Sequence, residues 1–369
     1  MRLVPIEYVR PNTVLGKTIY DLEGKVLLRA GVVLRENTIA KIKEINILSI
    51  YIVDKYSDEE IEDIIKSEIR QKAIITIKEA FSNIGRLNIG ISLIKSEKDY
   101  TWQEQSYFYN IEKMAESIIE DILKCKDVVL ALIDIRSINN YIYSHSVNVA
   151  IISLTIGLAL KFSKKKLEAL CIGALIHDIG KSLLPDIITD GERKFTENEM
   201  ELLKHHPRLG FRYLSGTYNI NSLSKMIVLQ HHERPDGLGY PDGLTDKNII
   251  DLSKIVSIAN AYDNLSTDLP GKKAMFPSDI LEYLMSNAGT LFDYDLISLF
   301  CRIVIPFPKG TIVKLSTEEI ARVEETVPNF PLRPIVRIID GPRESRIGSK
   351  ISLLEELSIV VTEIVYDID

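Results

Sequence analysis

Residues 171–184 read CIGALIHDIGKSLL and residues 225–241 read KMIVLQHHERPDGLGYP. In the first stretch His177 and Asp178 follow the apolar run Ala174-Leu175-Ile176, which predicts that the pair sits at the inner face of a helix. An unpartnered carboxylate is costly there, and a bound cation would offset that cost. Imidazole and carboxylate are ligands for iron, manganese or zinc, and a carboxylate can bridge two such ions. Lys181 falls one helical turn later on the same side, where an ammonium can hold a phosphate oxygen. In the second stretch His231 and His232 end an apolar helical run. Adjacent helical side chains diverge by about 100°, so both imidazoles reach a common centre only at a helix terminus or groove. The loop that follows carries Gly237, Gly239 and Pro241, residues of tight turns and close backbone approach, with Tyr240 placed to stack or hydrogen-bond.

The chain holds six histidines in 369 residues, and all of them lie between positions 145 and 232. A single histidine is more often a satisfied core or surface group than a ligand. The clustering, beside a carboxylate and a glycine loop, argues for a shared site. Net charge is −7, with 26% charged and 46% hydrophobic residues, ordinary for a globular protein and unsuited to broad DNA or RNA binding, which needs clustered Lys and Arg. Cys125, Cys171 and Cys301 are too scattered for a disulfide framework or a close-spaced zinc motif. The first residues carry no signal-like apolar stretch, and the apolar segment from Val149 to Leu160 is short for a bilayer. The expectation is a cytoplasmic protein without membrane insertion.

Residues 1–56 alternate apolar and polar positions around turn signals at Pro11-Asn12 and Glu23-Gly24, with a helix near Glu36 to Glu44, and predict a small β-rich N-terminal unit. Residues 57–103 predict a helical connector, because Ser57 and an acidic first turn open a long amphipathic repeat. That helix also offers a surface for a homodimer. Helical periodicity dominates 104–305. From 306 to 369 short strands separated by Pro and Gly turns predict a C-terminal β-appendage. The expected fold class is mainly α, a helical bundle with β-rich units at both ends.

The series YIYSHSVNVA, HDIGK, HHPRLG, HHERPDGLGYP and SIANAYDNLSTD, running from about Tyr141 to Lys273, resembles the bacterial HD-GYP subgroup of the HD phosphohydrolase superfamily. The resemblance implies a bundle that binds two divalent ions, iron or manganese, and hydrolyses cyclic di-GMP to pGpG or GMP with metal-activated hydroxide. Carried over position by position, His145, His177 and Asp178 would hold one ion. Asp178 would bridge to a second, held by His206, His231 and His232. His206 matches the family's ligand because it directly precedes the proline, which leaves His205 without a role. Lys181 would meet the scissile phosphate, and Gly239, Tyr240 and Pro241 would line the nucleotide site.

The chain departs from that pattern in three places. Asn260 stands where the family has an aspartate closing the first metal position, and an amide oxygen is a weaker, neutral ligand. Asp263, one helical turn on, is expected to support the site rather than ligate. Tyr141 replaces the glutamate through which some members bind a third ion. The expected phosphate-binding arginine is missing from 268–273, with Lys272 or Lys273 as a partial substitute lacking its fork. A second reading therefore stands beside hydrolysis: a catalytically weak or inactive module that binds metal and a cyclic dinucleotide as a sensor. A mononucleotide phosphohydrolase is a third. Cyclic GMP-AMP is an alternative substrate that the sequence alone does not separate from cyclic di-GMP.

Overall fold

The computed structural model describes residues 1–21, 23–45, 47–55, 64–87, 102–124, 141–185, 195–217, 219–267 and 273–367. It is a helical bundle flanked by a small N-terminal sheet unit and a C-terminal sheet. In the N-terminal unit β1 (Arg2–Pro5), β5 (Ser49–Val53) and β2 (Val14–Leu15) pair antiparallel, with β5 in the centre. A hairpin of β3 (Ile19–Tyr20) and β4 (Val26–Leu28) lies beside them. Helix α1 (Glu36–Glu44) covers the sheet with Ile39 and Ile42. The two expected turns take left-handed backbone, at Asn12 (φ 71°) and Gly24 (φ 78°).

Ser57 lies outside the described residues, and the helix α2 (Ser67–Leu87) begins ten positions later. Just before α2, Ile65 is fully buried, and the Lys66 amide donates to the Asp121 carboxylate at 2.8 Å. The apolar face of α2, from Ala73 through Ile77 and Phe81 to Ile84, packs against α3 (Trp102–Ile122) and α4 (Tyr141–Ala159). That apolar face of α2 is thus buried within the chain.

Helix α4 is the axis of the bundle. It has 19 residues, more than the apolar segment 149–160 suggested, and is long and apolar enough to cross a bilayer by length and composition; here it is enclosed by other helices, with Val147 to Gly157 buried. Helix α5 (Lys164–Leu175), capped by the Ser163 side chain, packs back along α4, where a Cβ at Gly157 would press on Leu167 and Leu170. A 3-10 turn (Ile179–Leu183) follows, then α6 (Glu197–Leu203), whose Thr196 and Glu199 form a capping box. Helices α7 (His206–Leu214) and α8 (Ser222–Gln230) pack on one another, and α8 packs on α5 through Ile227 against Gly173. Helix α9 (Asp251–Leu265) lies across α4, supported by α10 (Pro277–Ser286) and α11 (Tyr294–Ile303) through Tyr262 against Phe300. One continuous core runs from Ile65 to Val304, so α2 and α3 share it with the later helices.

The C-terminal sheet is antiparallel in the order β10 (Val361–Ile364), β6 (Ile312–Leu315), β7 (Ile320–Glu325), β8 (Ile335–Asp340), β9 (Lys350–Ser352). Alternate residues Ala321, Val323, Val336 and Ile338 fill its core. Across β7 and β8 the Glu324 carboxylate accepts two bonds from Arg337 (2.7 and 2.9 Å) and one from Arg322 (2.9 Å). These bonds, Arg337 first, pull its pKa down to about 2 from the usual 4.5. The depressed value means this stabilisation is complete above pH ~4.5 and is lost as pH falls toward ~2. Because the guanidinium groups are partly exposed, the effect is modest. Glu324→Gln is therefore expected to lower the thermal midpoint near neutral pH, and the gap to wild type to close as pH drops from about 4.5 toward 2; a gap independent of pH in thermal unfolding would contradict this origin.

Candidate metal centre

Five chain segments contribute to one buried cluster. His145 lies in the second turn of α4. His177 and Asp178 sit in the turn between α5 and the 3-10 segment, not on the inner face of a helix as the apolar flank suggested. The helix ends there because its hydrogen bonding tightens to three-residue spacing, from the Ile179 amide to Ile176 and from the Lys181 amide to Asp178. His206 opens α7 just ahead of Pro207 and is buried, whereas His205 is exposed. His231 and His232 directly follow α8. Asn260 and Asp263 lie on α9.

Asp178 stands between two sets of imidazoles. Its Oδ2 is 3.3 Å from His177 Nε2 and 4.0 Å from His145 Nε2; its Oδ1 is 3.2 Å from His206 Nε2 and 3.8 Å from His231 Nε2. Ligand atoms of His145, His177 and Asp178 lie within 4.8 Å of one another, as do those of Asp178, His206, His231 and His232. The outer ring nitrogens are held from behind. His177 Nδ1 donates to the Ala174 carbonyl (2.8 Å), His206 Nδ1 to Leu203 (2.7 Å), His231 Nδ1 to Val228 (3.0 Å), and His145 Nδ1 to Asp263 Oδ2 (2.7 Å). With Nδ1 protonated, each Nε2 presents a lone pair inward.

That arrangement is unstable without a cation. His206 Nε2 and His231 Nε2 face each other at 3.2 Å as two lone pairs, and the buried atoms His177 Nε2 and Asp178 Oδ1 have no hydrogen-bond partner. Burial holds His231 and His232 well below the usual imidazole range, with the neighbouring imidazoles adding to it, and holds His206 down against the pull of Asp178. Burial also opposes the charge on Asp178, but His177, Lys181 and His206 outweigh it and keep the carboxyl well below its usual range. Neutral imidazoles at His206, His231 and His232 beside an ionised Asp178 are the protonation state in which a divalent ion binds. The donors fit such an ion in type, burial and aim.

Close backbone contact sets the separation of the two sets. A Cβ on Gly180 would collide with the His206 carbonyl oxygen and come within 2.7 Å of the Gly210 amide. Only glycine lets the 3-10 turn bear directly on α7. The loop beyond the tandem is built similarly: a Cβ at Gly239 would lie 2.6 Å from the His232 carbonyl, Gly237 has φ 76°, and Tyr240-Pro241 is cis. The Tyr240 amide donates to the His232 carbonyl at 3.1 Å. Its ring stacks on His232 at 4.6 Å, and burial, with Asp178 adding, pushes its phenol up, so it stays protonated. Lys181 Nζ bonds Asp178 Oδ2 at 2.6 Å and keeps about a quarter of its side chain open to solvent.

Residues 131–296 match the HD domain family. That match covers a little under half of the chain. Residues 312–367 match a KOW domain associated with HD domains. Among curated proteins the chain is similar to a cyclic di-GMP phosphodiesterase of Pseudomonas aeruginosa, 28% identical over 62% of this chain and 55% of that protein. It is also similar to a cyclic di-GMP phosphodiesterase of Borreliella burgdorferi, 31% identical over 57% of each. The chain thus spans little more than half the length of these relatives. A solved HDG"Y"P protein of Bdellovibrio bacteriovorus aligns with 81% of this chain and 97% of its own at 19% identity and a TM-score of 0.47.

Glu233, Arg208 and Asn264 around this site gave no warning in the sequence. Glu233 is buried and accepts the amides of Asp242 (2.7 Å) and Leu244 (2.8 Å), pinning the loop after Tyr240, and Arg208 pairs with Asp242. Asn260 is 8% exposed, and its oxygen accepts from Asn264 Nδ2 at 2.7 Å; Asn264 Oδ1 in turn accepts from the Tyr141 hydroxyl at 2.7 Å. Tyr141 also stacks on His145, with centroids 5.5 Å apart. The two positions where the family pattern has carboxylates are thus joined here by a neutral chain through Asn264. Lys272 lies outside the described residues, and Lys273 is exposed. Gly180→Ala is expected to displace α7, cost ~1–3 kcal/mol of stability and sharply reduce metal content by elemental analysis. His205→Ala should leave metal content unchanged.

Proposed function

We propose that this chain is a metal-dependent phosphodiesterase that hydrolyses a cyclic dinucleotide, cyclic di-GMP, to pGpG or GMP. The observation that carries the reading is Asp178 set between His145 and His177 on one oxygen and His206 and His231 on the other, with facing Nε2 lone pairs. The relatives named as cyclic di-GMP phosphodiesterases support the substrate class. In this reading His145, His177 and Asp178 hold one ion, and Asp178, His206, His231 and His232 hold a second. Imidazole and carboxylate suit iron or manganese. Asn260, with one lone pair of its amide oxygen engaged by Asn264, closes the first position weakly. The bound ions supply Lewis acidity and activation of water at neutral pH.

The protein's own residues do the rest. Asp178 stays ionised and fixes the relative position of the two ligand sets. Lys181 lies at the solvent side of Asp178, where its ammonium can turn to a phosphate oxygen and stabilise charge that develops at phosphorus. Tyr240 is locked on His232 by stacking, so the loop Gly239-Tyr240-Pro241 forms a fixed wall for the nucleotide beside the metals. The N-terminal unit, the bundle and the C-terminal sheet each have their own apolar core, and we read them as three domains, with α2 and α3 part of the bundle. The proposed setting is the bacterial cytoplasm.

The competing reading is a sensor that binds metal and cyclic dinucleotide without turnover, and Asn260 is the observation behind it. Protein loaded with manganese or iron should turn over cyclic di-GMP, Asp178→Asn should abolish both turnover and metal binding, and Lys181→Ala should lower kcat by about 10²-fold with metal content unchanged. Asn260→Asp is expected to raise occupancy of the first metal position by roughly 10- to 100-fold in affinity. Tight binding of cyclic di-GMP with no hydrolysis in the wild type and in Asn260→Asp would establish the sensor instead.

A further inference from the structure

A line of hydrogen bonds leads from α2, outside the ligand set, to His145. Arg70 Nη1 donates to Asn148 Oδ1 at 2.6 Å; Asn148 Nδ2 donates to Asp263 Oδ1 at 3.0 Å; Asp263 Oδ2 accepts from His145 Nδ1 at 2.7 Å. Asn148, Asp263 and His145 are all buried, and Arg70 is half-buried. The Thr267 and Ser266 hydroxyls hold the Asp263 carbonyl at 2.6 and 3.2 Å, which keeps the last turn of α9 in place beneath the carboxylate.

The chemistry of these side chains leaves the line one direction. Arginine has donors only, so it takes the oxygen of Asn148 and turns the amide NH₂ toward Asp263. An ionised aspartate accepts only, so His145 must give it the Nδ1 proton. The lone pair is then on Nε2, the atom facing Asp178. Were Asn148 free to rotate by half a turn about its amide, its oxygen would face the Asp263 carboxylate, and the carboxylate would lose a donor while keeping its charge.

We propose that Arg70 is a positioning residue for the metal centre: by fixing the orientation of the Asn148 amide it sets the tautomer and aim of His145, and so the affinity of the first metal position. The consequence for metal affinity rests on the two-metal reading above; the consequence for the tautomer does not.

The test uses the full chain labelled with ¹⁵N-histidine and stripped of metal, at about pH 8 where free imidazole is neutral. The His145 signals are assigned by their loss in His145→Asn. Long-range ¹H–¹⁵N correlation is expected to show a single Nδ1–H tautomer for His145 in the wild type and a mixture in Arg70→Met and Asn148→Leu, with Arg70→Lys restoring the wild-type pattern because an ammonium can also donate to the Asn148 oxygen. Cobalt(II) titration followed by visible absorption should then show one binding step weakened by about 10- to 100-fold in Arg70→Met and the other unchanged. An unaltered His145 tautomer in both Arg70→Met and Asn148→Leu overturns the proposal, as does equal weakening of both steps together with a fall in thermal midpoint that Arg70→Lys does not reverse. A wild type with the expected tautomer that takes up no cobalt leaves the positioning role standing and removes the metal reading.

Discussion

Four imidazoles can converge on one buried carboxylate only because each gives its outer N–H, at Nδ1, to a partner behind it. Three of those partners are carbonyls, of Ala174, Leu203 and Val228, each three residues before the histidine it holds. The same short-range geometry therefore recurs wherever a helix ends or begins at the site. The fourth partner, Asp263, is a charged side chain and needs donors of its own. The Nε2 lone pairs of His177, His206 and His231 are aimed by helix termini, and that of His145 by a longer relay through α4 and α9.

This asymmetry separates the two halves of the site. The half made of His206, His231 and His232 is assembled from adjacent helices α7 and α8, with Tyr240 stacked against it and Glu233 anchoring the loop. The half made of His145 and His177 depends on α4, α9 and, through Arg70, on α2. It is also the half in which neutral Asn260, Asn264 and Tyr141 stand together. An amide chain satisfies its members' hydrogen bonds without adding charge, so it can stabilise the packing of α4 on α9 while contributing less to cation binding than a carboxylate would.

Much of this was legible in the sequence because it is carried by residue type at short range. The clustering of all six histidines, the glycines beside them and the apolar runs identified the segments, and helix α1 follows from its local pattern alone. Other features are not local. Nothing in the apolar flank of His177 distinguishes a helix interior from the turn that ends it, because both bury the same face; the difference lies in contact between Gly180 and His206, far apart in sequence. The connector's amphipathic repeat reads alike whether its partner is a second chain or α3. Asn264 and Arg70 look like ordinary polar helix residues until folding brings Tyr141 and Asn148 against them.

The abutment of Gly180 on α7 makes the gap between the two ligand sets a property of main chain against main chain. Side-chain repacking elsewhere in the bundle can then change how firmly the protein is folded while leaving that gap nearly the same, since no compressible group lies in between. Sequence drift in the surrounding hydrophobic layers would be felt as altered heat tolerance before it was felt as altered spacing at the centre.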